Sequence, residues 1–162
     1  MNYIPLHIHS GYTFLSSCLK IEDIVSICKN KNFSHVGLCD IHNMYGYPSF
    51  YLECKKNNIV PIFGTSLNIK SKEGDFYISV FIKNEIGYRN LCKLIASKEE
   101  INTKNISLYS EGLILVLPCS SNTLIRDYFI YDNQNLEKVI FTQVMSIFNF
   151  LFCIKFVDCY FT

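Results

Sequence analysis

Short apolar runs alternate with segments of helical periodicity along the first two thirds of the chain. Apolar residues recur at helical spacing over about residues 20–31, after Pro48, and over about residues 84–97, which predicts three helices. Residues 99–110 are polar and predict a loop. The other runs predict strands over Tyr3 to His9, Phe33 to Cys39, Ile59 to Phe63 closed by Gly64, Leu67 to Lys70, Phe76 to Ile82 after a turn at Glu73-Gly74-Asp75, and Leu113 to Leu117. This order predicts an α/β fold with a mainly parallel sheet.

The pattern weakens after about residue 125. Asp127 to Gln134 is polar and aromatic, and residues 138–162 are nearly all apolar. Within this tail, the run from Val144 to Val157 contains polar interruptions and is too short to predict a membrane span. We therefore divide the chain into a domain portion over residues 1–125 and an apolar tail over residues 126–162, and expect no membrane association.

Composition sets the protein class. Of the 162 residues, 49% are hydrophobic and 18% charged, which is typical of one globular domain. The formal net charge is only +1 and no Lys/Arg run occurs, so we expect no strong direct binding to nucleic acid. We expect no secretory signal, and the eight cysteines include no C-x-x-C pair. These features predict buried cysteines in a cytoplasmic protein.

Four residues at two predicted strand ends carry the candidate chemistry. His7 and His9 stand at i and i+2, so their side chains point the same way, roughly 6.6 Å apart along the strand, and could bind one metal ion. Asp40 and His42 end the next strand and could complete the site, because α/β folds gather sites at the carboxyl ends of parallel strands. The alternative is structural: hydrogen-bonded histidines, an Asp40 that caps a turn, and a loop histidine at position 42. His35, inside the second strand, is interpreted as structural.

The stretch from His7 to Leu15 resembles the opening of the PHP (polymerase and histidinol phosphatase) domain, in the version found at the N-terminus of the bacterial DNA polymerase III alpha subunit. Five further stretches fit the family in the same order. They are Ile21 to Val25, Leu38 to Gly46, Ile59 to Gly64, Lys83 to Leu91, and Glu111 to Ile114.

The resemblance implies an irregular (β/α) barrel, incomplete in this chain. It implies a divalent metal cofactor, zinc or manganese, and, in active members, phosphoester hydrolysis. The parent polymerase is a DNA-directed DNA polymerase that acts in DNA replication, and its remaining domains or other replisome subunits are the implied partners. The family domain is longer than this chain, and 162 residues leave no room for the catalytic domains of a polymerase. We therefore expect an N-terminal fragment.

Departures from the family pattern affect the expected metal ligands. The family carries an acidic residue where this chain has Ser16, a histidine where it has Ile41, and a glutamate where it has Ser66. Only His7, His9 and Asp40 stay in register, with His42 one position away from the usual histidine. No catalytic residue is assigned.

Three functions remain open on this sequence. The first is a structural or vestigial PHP-domain portion of the replicative polymerase. The second is a small stand-alone metal-dependent phosphoesterase or 3′–5′ exonuclease. The third is an unfolded remnant, since an incomplete barrel would expose a sheet edge and apolar surface.

Overall fold

The computed structural model describes residues 3–70, 75–97 and 100–116, which form a mixed α/β fold. Its helices are α1 (Ile21–Asn30), α2 (Tyr47–Lys56), α3 (Glu85–Ala96) and α4 (Thr103–Leu108). Its strands are β1 (His35–Ile41), β2 (Val60–Ile69), β3 (Phe76–Ile82) and β4 (Leu113–Val116). The predicted apolar tail over 126–162, and residues 73 and 74 of the predicted turn, lie outside the described residues. None of the described helices has the length and apolar character needed to cross a bilayer.

The four described strands form one sheet in the order β1-β2-β3-β4. Only the β1–β2 pairing is parallel, whereas β2–β3 and β3–β4 are antiparallel. The expectation of a mainly parallel sheet is therefore wrong. The reason is topological: β2 and β3 form a hairpin, and α3 and α4 then return the chain to the far edge of β3. Closure of this sheet into a barrel stays a prediction.

The first two helices end in the same way. Asn32 and Asn58 both adopt left-handed backbone conformations, with φ of 56°. The Phe33 N–H then donates to the Cys28 carbonyl at 2.9 Å, and the Ile59 N–H donates to the Cys54 carbonyl at 3.0 Å. Asparagine tolerates the left-handed region better than most residues, so it can stop each helix and turn the chain into the next strand.

Packing of the helices on one side of the sheet produces two apolar clusters. The first joins α1 and α2 to β1, and the second joins α3 to β2, β3 and β4. The periodicity that predicted α1 is explained directly, because Ile21, Ile24, Val25 and Cys28 are all buried. Cys28, Cys39 and Cys54 are buried as predicted, whereas Cys18 is exposed.

The segment from Tyr3 to His9 lies beside β1 but is not a regular strand. The Gly37 N–H donates to the Pro5 carbonyl at 2.7 Å, and the Cys39 N–H donates to the Ile8 carbonyl at 2.8 Å. The two donors are two residues apart whereas the two acceptors are three apart, so the hydrogen bonds cannot repeat as a ladder. Pro5 also has no N–H to donate. The prediction of a regular strand here is therefore wrong, although two hydrogen bonds do hold the segment beside β1.

Two further predictions are wrong. Gly64 does not close a strand, because β2 continues through it to Ile69. Gly64 lies opposite Phe81 in β3, and a Cβ at this position would overlap the Phe81 ring, so the glycine serves a close approach. The predicted loop over 99–110 contains the short helix α4, where the Asn102 side chain accepts a hydrogen bond from the Asn105 N–H at 3.0 Å.

Candidate metal site

His7 and His9 place their rings side by side. Their Nε2 atoms are 3.0 Å apart and their ring centroids are 4.7 Å apart. The Nδ1 of His7 lies 3.1 Å from the Ser79 hydroxyl in β3, which fixes the orientation of the His7 ring. The Nδ1 of His9 is buried and has no hydrogen-bond partner among the described residues. The two imidazoles are therefore close enough for one ring to donate a hydrogen bond to the other.

The spacing of the two histidines fits one metal ion. Zinc binds imidazole nitrogen at about 2.0–2.1 Å, so two nitrogens on a tetrahedral ion lie about 3.3 Å apart. The observed 3.0 Å needs only a small ring movement to match this spacing. Desolvation lowers the pKa of His7, and the neighbouring His9 lowers it further, which favours the neutral imidazole that a metal requires.

Asp40 makes a different set of contacts. It is buried, and its carboxylate accepts hydrogen bonds from the Ser10 N–H at 2.6 Å, the Ser10 hydroxyl at 2.7 Å and the Thr13 hydroxyl at 2.7 Å. Three short hydrogen bonds occupy most of the accepting capacity of a carboxylate. Asp40 thus anchors the turn at residues 10–13 onto the end of β1.

The sheet register distinguishes the surroundings of Asp40 from those of His7. Asp40 lies opposite Thr65, whereas the next residue along, Ser66, lies opposite Ser79. Successive side chains of a strand point to opposite faces, so Asp40 and Ser79 belong to opposite faces of the sheet. His7 contacts Ser79. Asp40 contacts Ser10, which directly follows His9, so its role as a metal ligand stays a prediction.

His42 is held against β2. Its backbone has φ of 53°, its N–H donates to the Ser66 carbonyl at 2.9 Å, and its Nε2 accepts a hydrogen bond from the Asn68 N–H at 3.0 Å. The left-handed backbone is the conformation that favours glycine, which is the residue the resembled motif carries here. Among the described residues, no three His, Cys, Asp or Glu side chains form a group that could hold a metal ion. The ligand roles of Asp40 and His42 stay predictions, as do those of His7 and His9.

A pH dependence follows from the contact between His42 and Asn68. Burial lowers the pKa of His42 below 6.5, so the unfolded chain binds a proton there before the folded chain does. We expect the free energy of unfolding to fall as pH decreases from about 6.5 through the lowered pKa, with His7 contributing in the same direction. Urea unfolding measured between about pH 5 and pH 8 should give a free energy of unfolding that changes less with pH for His42→Asn than for the wild-type chain. An equal pH dependence in the variant and in the wild-type chain would contradict this contribution of His42 to stability.

The three replaced family positions carry neutral side chains. Ser66 is buried and its hydroxyl lies 3.4 Å from the Cys39 sulfur, while Ser16 is exposed. Ile41 lies opposite Ser66 and offers no ligand atom. Ser79 was missed by the sequence reasoning, and its one signal is a hydroxyl inside an otherwise apolar strand. Within the part of the chain that the structure describes, these replaced positions therefore supply no carboxylate that could bridge two metal ions.

Comparisons with known proteins agree on the family. The PHP domain model matches residues 5–152. The DNA polymerase III subunit alpha of Borreliella burgdorferi is 35% identical over 143 residues, covering 76% of this chain and 12% of that protein. The corresponding subunit of Bacillus subtilis is 31% identical over 126 residues, covering 73% of this chain and 11% of that protein. The chain thus spans about an eighth or less of the length of these relatives.

A solved structure supports the same type of fold. An amidohydrolase from Chromobacterium violaceum superposes with a TM-score of 0.50 at 15% identity, covering 59% of this chain and 32% of that one. This similarity concerns the fold alone. The resemblance predicted from six short stretches is confirmed by the family match: the chain belongs to the PHP domain family.

Proposed function

We propose that this chain is a PHP-domain unit of a DNA polymerase III alpha-type protein, with a structural role in DNA replication and no phosphoester hydrolysis of its own. The sequence identity to two alpha subunits supports the origin. In this role the chain acts in the cytoplasm, together with the remaining polymerase or with other replisome subunits.

The use of Asp40 is the observation that carries the structural role. It is the single carboxylate among the four predicted ligands, and it supports the fold through Ser10 and Thr13. With Ile41 and Ser66 at two further ligand positions, the described residues offer two adjacent imidazoles and no bridging carboxylate. A site of this kind lacks the ligands for a metal cluster.

Co-purification and hydrolysis together test the proposal. The tagged chain, isolated from its own cell under mild conditions, should carry polymerase III or replisome subunits identified by mass spectrometry. The purified chain should not hydrolyse bis(p-nitrophenyl) phosphate in Mn²⁺ or Zn²⁺ above the rate of the His7→Ala/His9→Ala variant. Absence of every replisome subunit from the purified complex would argue against the structural role.

A second candidate function is metal-dependent phosphoester hydrolysis, which the spacing of the His7 and His9 nitrogens favours. These two residues would hold one ion, with Ser79 orienting the His7 ring. When bound there, the ion would supply an acidified water and would neutralise charge on the phosphoryl oxygens. Metal-dependent hydrolysis that disappears in the His7→Ala/His9→Ala variant would establish this function in place of the first.

A further inference from the structure

A line of hydrogen-bonding side chains runs from the histidine pair into the sheet. The Nε2 atoms of His7 and His9 are 3.0 Å apart, and the His7 Nδ1 lies 3.1 Å from the Ser79 hydroxyl. Ser79 and Cys39 are both buried, and the Cys39 sulfur lies 3.4 Å from the hydroxyl of Ser66, which is also buried. We call these side chains the polar relay.

The Cys39 thiol joins the two serine hydroxyls of the polar relay. Burial raises the pKa of Cys39, and hydrogen bonding with Ser66 and Ser79 offsets part of this rise. The thiol therefore keeps its proton at neutral pH and offers one weak donor and one weak acceptor. One hydroxyl can donate to the sulfur while the thiol donates to the other hydroxyl.

The contact between the two imidazoles requires opposite tautomers. At about pH 8, a histidine with a pKa of about 6.5 is neutral and carries one ring proton. When two neutral rings share a hydrogen bond between their Nε2 atoms, one Nε2 carries the proton and the other accepts it. The accepting ring must then carry its own proton on Nδ1.

The surroundings of the two Nδ1 atoms decide which ring accepts. The Nδ1 of His9 is buried and has no hydrogen-bond partner among the described residues. A buried N–H without an acceptor is rarer in proteins than an unused acceptor, so we expect this atom to carry no proton. The Nδ1 of His7 lies beside the Ser79 hydroxyl, which can accept its proton because it can donate its own to the Cys39 sulfur.

We propose that the polar relay holds the histidine pair in opposite tautomers, with the proton of His7 on Nδ1 and the proton of His9 on Nε2. The hydrogen bonds then run in one direction, from His9 through His7, Ser79 and Cys39 to Ser66. Ser79 and Cys39 are positioning residues for His7, whose Nε2 keeps the lone pair that a metal ion would take.

This order of hydrogen bonds works against metal binding by both rings. An ion held by both Nε2 atoms requires the His9 proton to move to Nδ1, where no described group accepts it. The inference rests on the proposed function, because it gives the same histidine pair a physical reason to bind metal weakly, in addition to the replaced carboxylates.

Nitrogen-15 NMR of the full chain, labelled at histidine and measured at about pH 8 in EDTA, reports the tautomer of each neutral ring. The signals that disappear in His7→Gln and in His9→Gln assign the pair. His42 is the internal standard for the Nδ1–H form, because its Nε2 accepts a hydrogen bond from the Asn68 N–H at 3.0 Å. We expect His7 to match this standard and His9 to show the Nε2–H form.

Variants of the polar relay test the cause of this preference. Ser79→Ala and Cys39→Ala should each move the tautomer ratio of His7 about five-fold toward the Nε2–H form, because each removes one hydrogen bond that favours Nδ1–H. Ser79→Thr and Cys39→Ser keep a hydrogen-bonding group and should retain the wild-type tautomers. A residue that only supported the fold would leave the ratio unchanged.

Two results would overturn the proposal: any other pair of tautomers in the wild-type chain, or an unchanged ratio in Ser79→Ala or Cys39→Ala. If Ser79→Ala does not fold, the wild-type spectrum and Cys39→Ala still decide between these outcomes. The measurement uses the metal-free chain without partners, so its failure is distinguishable from failure of the structural role, which co-purification tests.

Discussion

Asp40→Ala is expected to lower the free energy of unfolding by about 4 kcal/mol. The substitution leaves the Ser10 N–H and the hydroxyls of Ser10 and Thr13 without their acceptor in a buried setting. Each unpaired buried donor costs about 1–3 kcal/mol. The Thr13 hydroxyl also accepts a hydrogen bond from the Ile41 N–H at 3.2 Å, so the loss extends into the end of β1.

Urea unfolding with and without EDTA separates a structural Asp40 from a metal ligand. The control is Asp23→Ala, which removes an exposed carboxylate in the first turn of α1 and should cost less than about 1 kcal/mol. If Asp40 acts through hydrogen bonds alone, EDTA changes neither the stability of the wild-type chain nor the loss in Asp40→Ala. Loss of wild-type stability in EDTA, down to that of Asp40→Ala, would make Asp40 a metal ligand.

Gly37→Ala is expected to detach the N-terminal segment and to cost about 3 kcal/mol. Gly37 is buried in β1, and a Cβ at this position would overlap the Leu6 carbonyl and lie 2.7 Å from the Leu6 Cα. These are backbone atoms, so the clash can be relieved only by moving the segment that carries His7 and His9. The hydrogen bond from the Gly37 N–H to the Pro5 carbonyl, at 2.7 Å, is lost with it.

Hydrogen exchange measured by mass spectrometry reports this detachment directly. In Gly37→Ala, peptides that cover β1 and residues 3–9 should exchange faster than in the wild-type chain, whereas peptides from α3 should be unchanged. Gly11→Ala is the matched control, because a Cβ there would lie 3.6 Å from the Leu19 carbonyl, an ordinary contact. Wild-type exchange rates in Gly37→Ala would show that the segment is not packed on β1 as described.

Local hydrophobic patterns predicted those elements whose apolar residues repeat at the period of a helix or a strand. The predictions for α1, α3 and β3 agree with the structure to within one residue at each end, because each has an apolar set at the period of its own secondary structure. The irregular segment beside β1 and the continuity of β2 could not be predicted in this way. Both depend on contacts with residues far away in sequence, Gly37 in one case and Phe81 in the other.

The same distinction between local patterns and contacts distant in sequence applies to the candidate site. The proximity of the His7 and His9 rings follows from a spacing of two residues, which the sequence displays. The placement of Asp40 and Ser79 on opposite faces of the sheet depends on the register of three strands. The contact between His7 and Ser79 joins residues 72 positions apart, so no local pattern predicts it.

Elemental analysis of the purified chain tests the central claim, that this PHP domain lacks a metal cluster. The wild-type chain and His7→Ala/His9→Ala would be incubated with zinc or manganese, desalted and measured side by side. The structural role predicts less than one retained ion per wild-type chain and little difference between the two proteins. Two or more tightly held ions in the wild-type chain, lost in the double variant, would contradict it.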